Sequence, residues 1–383
     1  MQKASIFFKI RHWMGPIVAG FVAVVLALGA AACGGEAQPA ATSTPAGQQP
    51  TPTATPPTVR LNGAGATFPY PLYSKWFDEY AKISKTQANY QSIGSGGGIR
   101  QITEGTVDFG ASDGIMTAEQ QTAAEQRYGP ILHIPMAMGA VAVVYNVPGI
   151  AAGQLKLTPE VLADIYLKKV SKWNAPGITA LNPGISLPNQ DIAVVHRSDG
   201  SGTTYIFTNY LSKVSPEWLT KVGNANSVNW PGDIGGQGNE GVAGQVRQIP
   251  GAIGYVELAY ATQNNMAWAA LKNATGNFVQ PSLEATSRAA DGVALPNDMK
   301  VMVTNSTNAQ AYPITGFTWL LVYRNQADCT KGKALVDMLW WAIHDGQQFA
   351  SPLQYAALPS DAVSKAEAQI RSVTCNGQPL LGK

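Results

Sequence analysis

Ile192-Ala193-Val194-Val195-His196-Arg197-Ser198-Asp199-Gly200-Ser201-Gly202-Thr203-Thr204-Tyr205 is the stretch on which the fold turns. Its apolar start, Ile192 to Val195, reads as a buried strand. A Gly-rich turn follows, and then Ile206, Phe207, Tyr210, Leu211 and Val214 recur at helical spacing. Ser201-Gly202-Thr203 should therefore open a helix. The first N–H groups of a helix have no partner within it, and the helix dipole is positive at that end. Gly202 lets an anion approach the backbone, Ser201 and Thr203 add hydroxyl donors, and Arg197 adds a planar cation at the strand's end. That combination has the chemistry of an anion cradle. The bland alternative is an N-cap beside an ordinary surface arginine.

Outward from this stretch the same unit recurs. Val59 to Asn62 reads as a short strand, Gly63 to Pro69 as a turn, and Tyr73, Trp76, Phe77, Tyr80 and Ile83 as the stripe of an amphipathic helix. Asn89 to Ile93 is a strand that runs into Gly94-Ser95-Gly96-Gly97-Gly98, with Ile99 and Ile102 beyond. Asp108 to Gly114 is a further strand end leading into a turn. Ile131 to Val147 is apolar and interrupted by Pro135 and Gly139, so it is either two strands or one strand passing between lobes. Residues 155–173 read as a helix. Ile249 to Tyr255 and Ile314 to Tyr323 read as strands, and Lys333 to Phe349 as a helix. Gly235-Gly236-Gln237-Gly238-Asn239 reads as loop at a cleft rim. Strands alternating with helices imply an α/β fold with mostly parallel sheets, whose ligands sit at the carboxyl ends of strands.

The chain has 383 residues, which suits two domains, and 45% of them are hydrophobic. Its net charge of +2 includes Lys3, Lys9 and Arg11, so setting those three aside leaves 23 basic residues against 24 acidic. A near-neutral body does not suit a polyanionic partner, and no nucleic acid is expected.

Residues 1–32 have a basic start and then an apolar run from Ile17 to Ala32, as in an export signal. The run ends in Ala30-Ala31-Ala32-Cys33-Gly34. A Cys after small residues resembles a bacterial lipobox, with Ala30 where that pattern usually carries Leu. Lipidation at Cys33 is expected; ordinary secretion with cleavage nearby is the alternative. Residues 33–58, rich in Ala, Thr and Pro, read as a disordered tether. Two cysteines in an exported body, Cys329 and Cys375, are expected to be bonded. No metal is expected, because His12, His133, His196 and His344 do not cluster with Cys or acids at ligand spacing.

The loops together resemble the phosphate-binding proteins of bacterial high-affinity phosphate ABC importers. Gly63-Ala64-Gly65-Ala66-Thr67-Phe68-Pro69 is similar to the first binding loop of that family. Ile93 to Gly98 is similar to the second, Val107 to Asp113 to the third, and Arg197 to Thr203 to the fourth. Pro250 to Val256 matches a further block. The resemblance implies a two-lobed, periplasmic-binding-protein-like fold with the ligand cleft between lobes. It implies a first lobe of residues 59–147 and 312–383 and a second of 148–311. It also implies that Thr67, Phe68, Ser95, Asp113, Arg197, Ser201, Gly202 and Thr203 hold phosphate, and that Asp199 orients Arg197. There would be no catalytic residue and no cofactor. The partners would be inorganic phosphate and the permease subunits of a membrane transporter, with the chain a monomer held on the outer face of the membrane, or in the periplasm.

Three rivals stand beside this reading. Ser201 near His196 and Asp199 suggests a hydrolase, although Gly-x-Ser-x-Gly and the phosphate-loop motif of NTPases are both absent. The ligand could be another oxyanion, such as sulfate or molybdate. An adhesion or sensor protein could also have kept the fold.

Overall fold

The computed structural model describes residues 58–232 and 234–382. The export signal at 1–32, Cys33, and all of the tether except Thr58 lie outside the described residues.

The first units are β1 (Val59–Gly65), α1 (Tyr70–Ile83), β2 (Thr86–Ser92), α2 (Ser95–Glu104) and β3 (Phe109–Ser112). Strand β1 continues through Gly63 to Gly65, where a turn was expected. The reason lies across the sheet: Gly63 pairs with Phe109, and a Cβ at Gly63 would fall 2.1 Å from the Phe109 ring. The glycine makes room for a neighbouring aromatic here; it does not mark a loop.

Ile131 to Tyr145 is one strand, β4, of 15 residues and almost wholly buried. The second half of the chain adds β5 (Ala193–Arg197), α3 (Gly202–Val214), β6 (Ile234–Gly236), α4 (Gly238–Gln248), β7 (Ala252–Glu257), β8 (Thr315–Tyr323) and α5 (Cys329–Ile343). Among the described residues the main sheet has the order β2-β1-β3-β8-β4-β7-β5-β6. Strand β4 is shared along its length. Ile131 to Ala140 pairs with β8, and Val141 to Tyr145 pairs with β7. A strand buried on both sides needs a near-continuous apolar run, which is how 131–145 reads. Pro135 has no N–H to give the ladder, and the register of β4 against β8 shifts beside it.

The sheet is less parallel than expected. β1 is parallel to β2 and β3, and β5 to β6 and β7. Strand β4, however, is antiparallel to both β7 and β8, and β8 is also antiparallel to β3. Strands β4 and β8, far apart in the chain, lie side by side in the middle of the sheet and run in opposite directions.

The helix expected over 155–173 is confined to Pro159–Tyr166. Thr158 caps its start, Pro159 takes the first turn, and Lys168 adopts a left-handed backbone (φ 62°) just past its end. Cys329, the first residue of α5, is bonded to Cys375, with Cα atoms 5.4 Å apart. Among the described residues no helix is long and apolar enough to cross a membrane.

Candidate phosphate site

Four chain segments meet where β1, β3 and β5 end. Helix α3 opens at Gly202 with Ser201 as its N-cap, and Ser201 Oγ accepts from the Thr204 N–H at 3.0 Å. Gly202 donates its N–H to Ser95 Oγ at 3.0 Å. Ser95 opens α2, and its Oγ also accepts the Asp113 N–H at 3.2 Å and donates to Asp113 Oδ2 at 3.4 Å. Ser95, Gly202 and Asp113 thus form one cluster drawn from three loops. The approach is close. A Cβ at Gly202 would lie 2.5 Å from both Asp113 Oδ2 and Ser95 Oγ. The Gly94–Gly96 turn meets the Asp199–Gly200 turn directly, with Gly96 N–H donating to the Gly200 carbonyl at 2.8 Å. Gly94 (φ 83°) has no room for a side chain, since its Cβ would sit 2.3 Å from Asp199 Oδ2.

Arg197 is the last residue of β5 and is buried. Its Nε and Nη2 donate to Asp199 Oδ1 and Oδ2 at 2.7 and 2.5 Å, a bidentate pair. Its Nη1 donates to Thr203 Oγ1 at 3.2 Å. One hydrogen on each Nη remains for another acceptor. Burial opposes ionisation of Asp199, but the hydrogen bonds and charge of Arg197 outweigh it and hold the carboxyl below its usual range. The Gly238 N–H adds a further bond to Asp199 Oδ1 at 3.1 Å.

Asp113 is buried, and its Oδ1 accepts from the Thr318 hydroxyl at 2.8 Å. Burial pushes its pKa up to about 7, against the pull of Thr318, Arg197 and Ser95. Asp199 offsets the charge of the Arg197 guanidinium, so the site carries no excess positive charge. An anion here is met by aimed hydrogen-bond donors rather than by excess positive charge. Those donors are present. Among the described residues, the N–H groups of Thr67, Phe68, Ser95 and Thr203 find no protein acceptor. Phe68 contributes backbone only. Its ring packs edge-on to Tyr355, and its carbonyl accepts the Tyr355 hydroxyl at 2.6 Å.

A hydrolytic triad is not assembled. His196 stacks on Trp230, with centroids 5.0 Å apart, and its ring nitrogens lie 3.0 Å from the Arg197 and Gly232 carbonyls. The Ser201 hydroxyl oxygen is engaged in capping α3.

Residues 41–337 match the family model of a PBP superfamily domain. Over 312 residues the chain is 48% identical to the phosphate-binding protein PstS of Xylella fastidiosa (strain 9a5c), covering 81% of this chain and 84% of that one. It is 36% identical to the phosphate-binding protein PstS of Methanocaldococcus jannaschii, covering 90% of this chain and 92% of that protein. The chain belongs to the PstS phosphate-binding protein family. Among solved structures, the high-affinity periplasmic phosphate-binding protein PfluDING bound with phosphate superposes with a TM-score of 0.66. It is 22% identical, over 81% of this chain and 93% of that one, and so speaks to fold.

In this PstS family member, several residues that build the site escaped the sequence reading. Asn239, expected at a rim, is fully buried. Its Nδ2 donates to Thr67 Oγ1 at 2.8 Å and to Thr203 Oγ1 at 3.1 Å. The Tyr255 hydroxyl accepts the Arg197 N–H at 3.1 Å, and the Tyr260 hydroxyl donates to the Thr67 carbonyl at 2.6 Å. Thr318 sits in β8 between Phe317 and Trp319, a hydroxyl inside an otherwise apolar run. That polar break, and an Asn opening a helical pattern after a Gly-rich run, were the available signals.

Proposed function

We propose that this chain binds inorganic phosphate between its lobes and delivers it to a membrane ABC permease for import. Asp113 carries the reading. A buried carboxyl in an anion site, once ionised, repels a fully deprotonated ligand, but it accepts a hydrogen bond from one that keeps a P–OH. Phosphate near neutral pH keeps at least one such proton; sulfate does not. Molybdate, also without a proton at neutral pH, falls with sulfate.

In this reading the Thr67 and Phe68 loop, the Ser95 helix start and the Ser201-Gly202-Thr203 helix start surround the anion. Arg197, oriented by Asp199, supplies its cationic donor. The Ser95, Gly202 and Asp113 hydrogen bonds already join the loops that would close on it. The shared strand β4 and the returning β8 support a hinge there, with lobes of 59–147 and 312–383 against 148–311. The PstS names of the relatives support phosphate as the ligand. Their role as binding proteins supports a carrier and not an enzyme. Residues 1–32 as an export signal, a lipid on Cys33 and a tether to residue 58 would hold a monomeric body on the outer face of the membrane.

Calorimetric titration of the purified chain with phosphate tests the proposal. Saturable one-to-one binding is expected, and no heat of binding would refute it.

A further inference from the structure

We infer that Asn239 fixes the Thr67 and Thr203 hydroxyls as hydrogen-bond donors and thereby dictates which ligand oxygens must be unprotonated. This rests on the phosphate reading above.

The orientation of the Asn239 amide is decided by its neighbours. Its Oδ1 accepts from the Glu257 backbone N–H at 2.9 Å. A backbone N–H can only donate, so the amide oxygen must be on that side. The NH₂ group therefore faces away, and there it meets two hydroxyl oxygens, Thr67 Oγ1 at 2.8 Å and Thr203 Oγ1 at 3.1 Å. The Asn239 backbone N–H donates to Thr67 Oγ1 as well, at 3.2 Å.

A hydroxyl oxygen has two lone pairs and one hydrogen. Asn239 alone takes both lone pairs of Thr67 Oγ1. Those of Thr203 Oγ1 are taken by Asn239 and by Arg197 Nη1 at 3.2 Å. Each hydroxyl retains only its hydrogen, and among the described residues neither donates it to a protein acceptor. A threonine is ordinarily ambivalent, able to accept a ligand's proton or to give its own. Asn239 removes that freedom without adding charge. Ligand oxygens opposite Thr67 and Thr203 must then be bare, and a ligand proton is left to Asp113. Asn239 is thus a positioning residue, acting through two hydroxyls 136 positions apart in the chain (67 to 203).

The test is a set of double-mutant cycles read by calorimetry with phosphate, using the full chain. Asn239→Ala is expected to weaken binding at least about tenfold. In a Thr67→Val or a Thr203→Val background the same change should cost at least about threefold less, because the hydroxyl it acts through is gone. Equal losses in all backgrounds would show that Asn239 acts independently of the hydroxyls and would overturn the inference. Neutron diffraction from crystals of the wild-type phosphate complex needs no variant. The Thr67 and Thr203 hydroxyl hydrogens should point at phosphate oxygens, and either one pointing at Asn239 would overturn it. Failure of wild type to bind phosphate would overturn the phosphate reading and this inference with it. Wild-type binding with additive losses overturns the inference alone.

Discussion

Ser95 and Gly202, 107 positions apart in the chain, are joined by a 3.0 Å hydrogen bond from the Gly202 N–H to Ser95 Oγ. It links the first turn of α2 to the first turn of α3. Two helix N-termini, each with unpaired N–H groups and a positive dipole, are thereby aimed at one place. The candidate site depends on how closely these two helix starts approach, and several expectations follow from that closeness.

Gly202→Ala should spoil the junction. Its Cβ would fall 2.5 Å from Ser95 Oγ and from Asp113 Oδ2, both on fully buried side chains with no room to withdraw. Overpacking of this kind costs about 1–3 kcal/mol. Thermal unfolding without ligand should show the loss, and phosphate affinity should fall by more than about tenfold. Unchanged stability and affinity would mean that the two helix starts are not held together.

Arg197→Ala should weaken phosphate binding more than the loss of any single hydroxyl. It removes a charge-assisted donor and leaves the half-buried Asp199 carboxylate without its partner. The expected loss is at least about 1.5–3 kcal/mol. Calorimetric affinities for Arg197→Ala and Ser201→Ala, side by side, decide it. An Arg197→Ala affinity within about twofold of wild type would place Arg197 outside the binding shell.

Much of this was readable from the chain. The strand, glycine turn and helix start around Arg197 to Thr203 signal themselves through a local change of period and through cap chemistry. Gly63 was misread because its reason for being small, the Phe109 ring, is a cross-strand neighbour 46 positions away. The helix at 155–173 was overextended because Leu155, Leu162, Ile165 and Tyr166 keep a helical period that Thr158, Pro159 and Lys168 cut short. Asn239, Thr318, Tyr255 and Tyr260 were missed for a different reason. Each acts on a residue brought near only by the tertiary fold, and nothing in its own segment records that partner.

Asp113 should give the ligand-free protein a pH-dependent stability. Burial raises its folded pKa to about 7, whereas an unfolded aspartate titrates near 3.9. Between those values the folded state keeps a proton that the unfolded chain has lost, so stability falls as pH rises. The contribution is full below about pH 4 and is lost above about pH 7, on the order of 4 kcal/mol in all. Asp113→Asn cannot titrate. Urea unfolding of both proteins from pH 4 to pH 8 should show the wild-type advantage shrinking across that window. Parallel curves would mean that Asp113 ionises normally in the fold.

Reducing the Cys329–Cys375 bond should destabilise the body. The two cysteines are 46 positions apart, and the chain-entropy estimate for a loop of that length is about 4 kcal/mol. Urea midpoints with and without reductant measure it. Identical midpoints, with free thiols confirmed by labelling, would show that the bridge adds nothing to stability.

The central claim is that Asp113 accepts a hydrogen bond from the P–OH of a bound phosphate, and sulfate tests it most directly. Calorimetric titration of wild type and Asp113→Asn with phosphate and with sulfate gives four affinities. The asparagine amide can still accept a P–OH through its oxygen, so phosphate should still bind the variant. At pH 8, above the pKa of about 7 that burial gives Asp113, sulfate leaves an ionised wild-type Asp113 facing an oxygen with no hydrogen between them, and wild type should reject it by as much as about 10⁴–10⁵ relative to phosphate. Sulfate should gain affinity for the variant, where the repulsion is gone. A variant that rejects sulfate as strongly as wild type does would contradict the account.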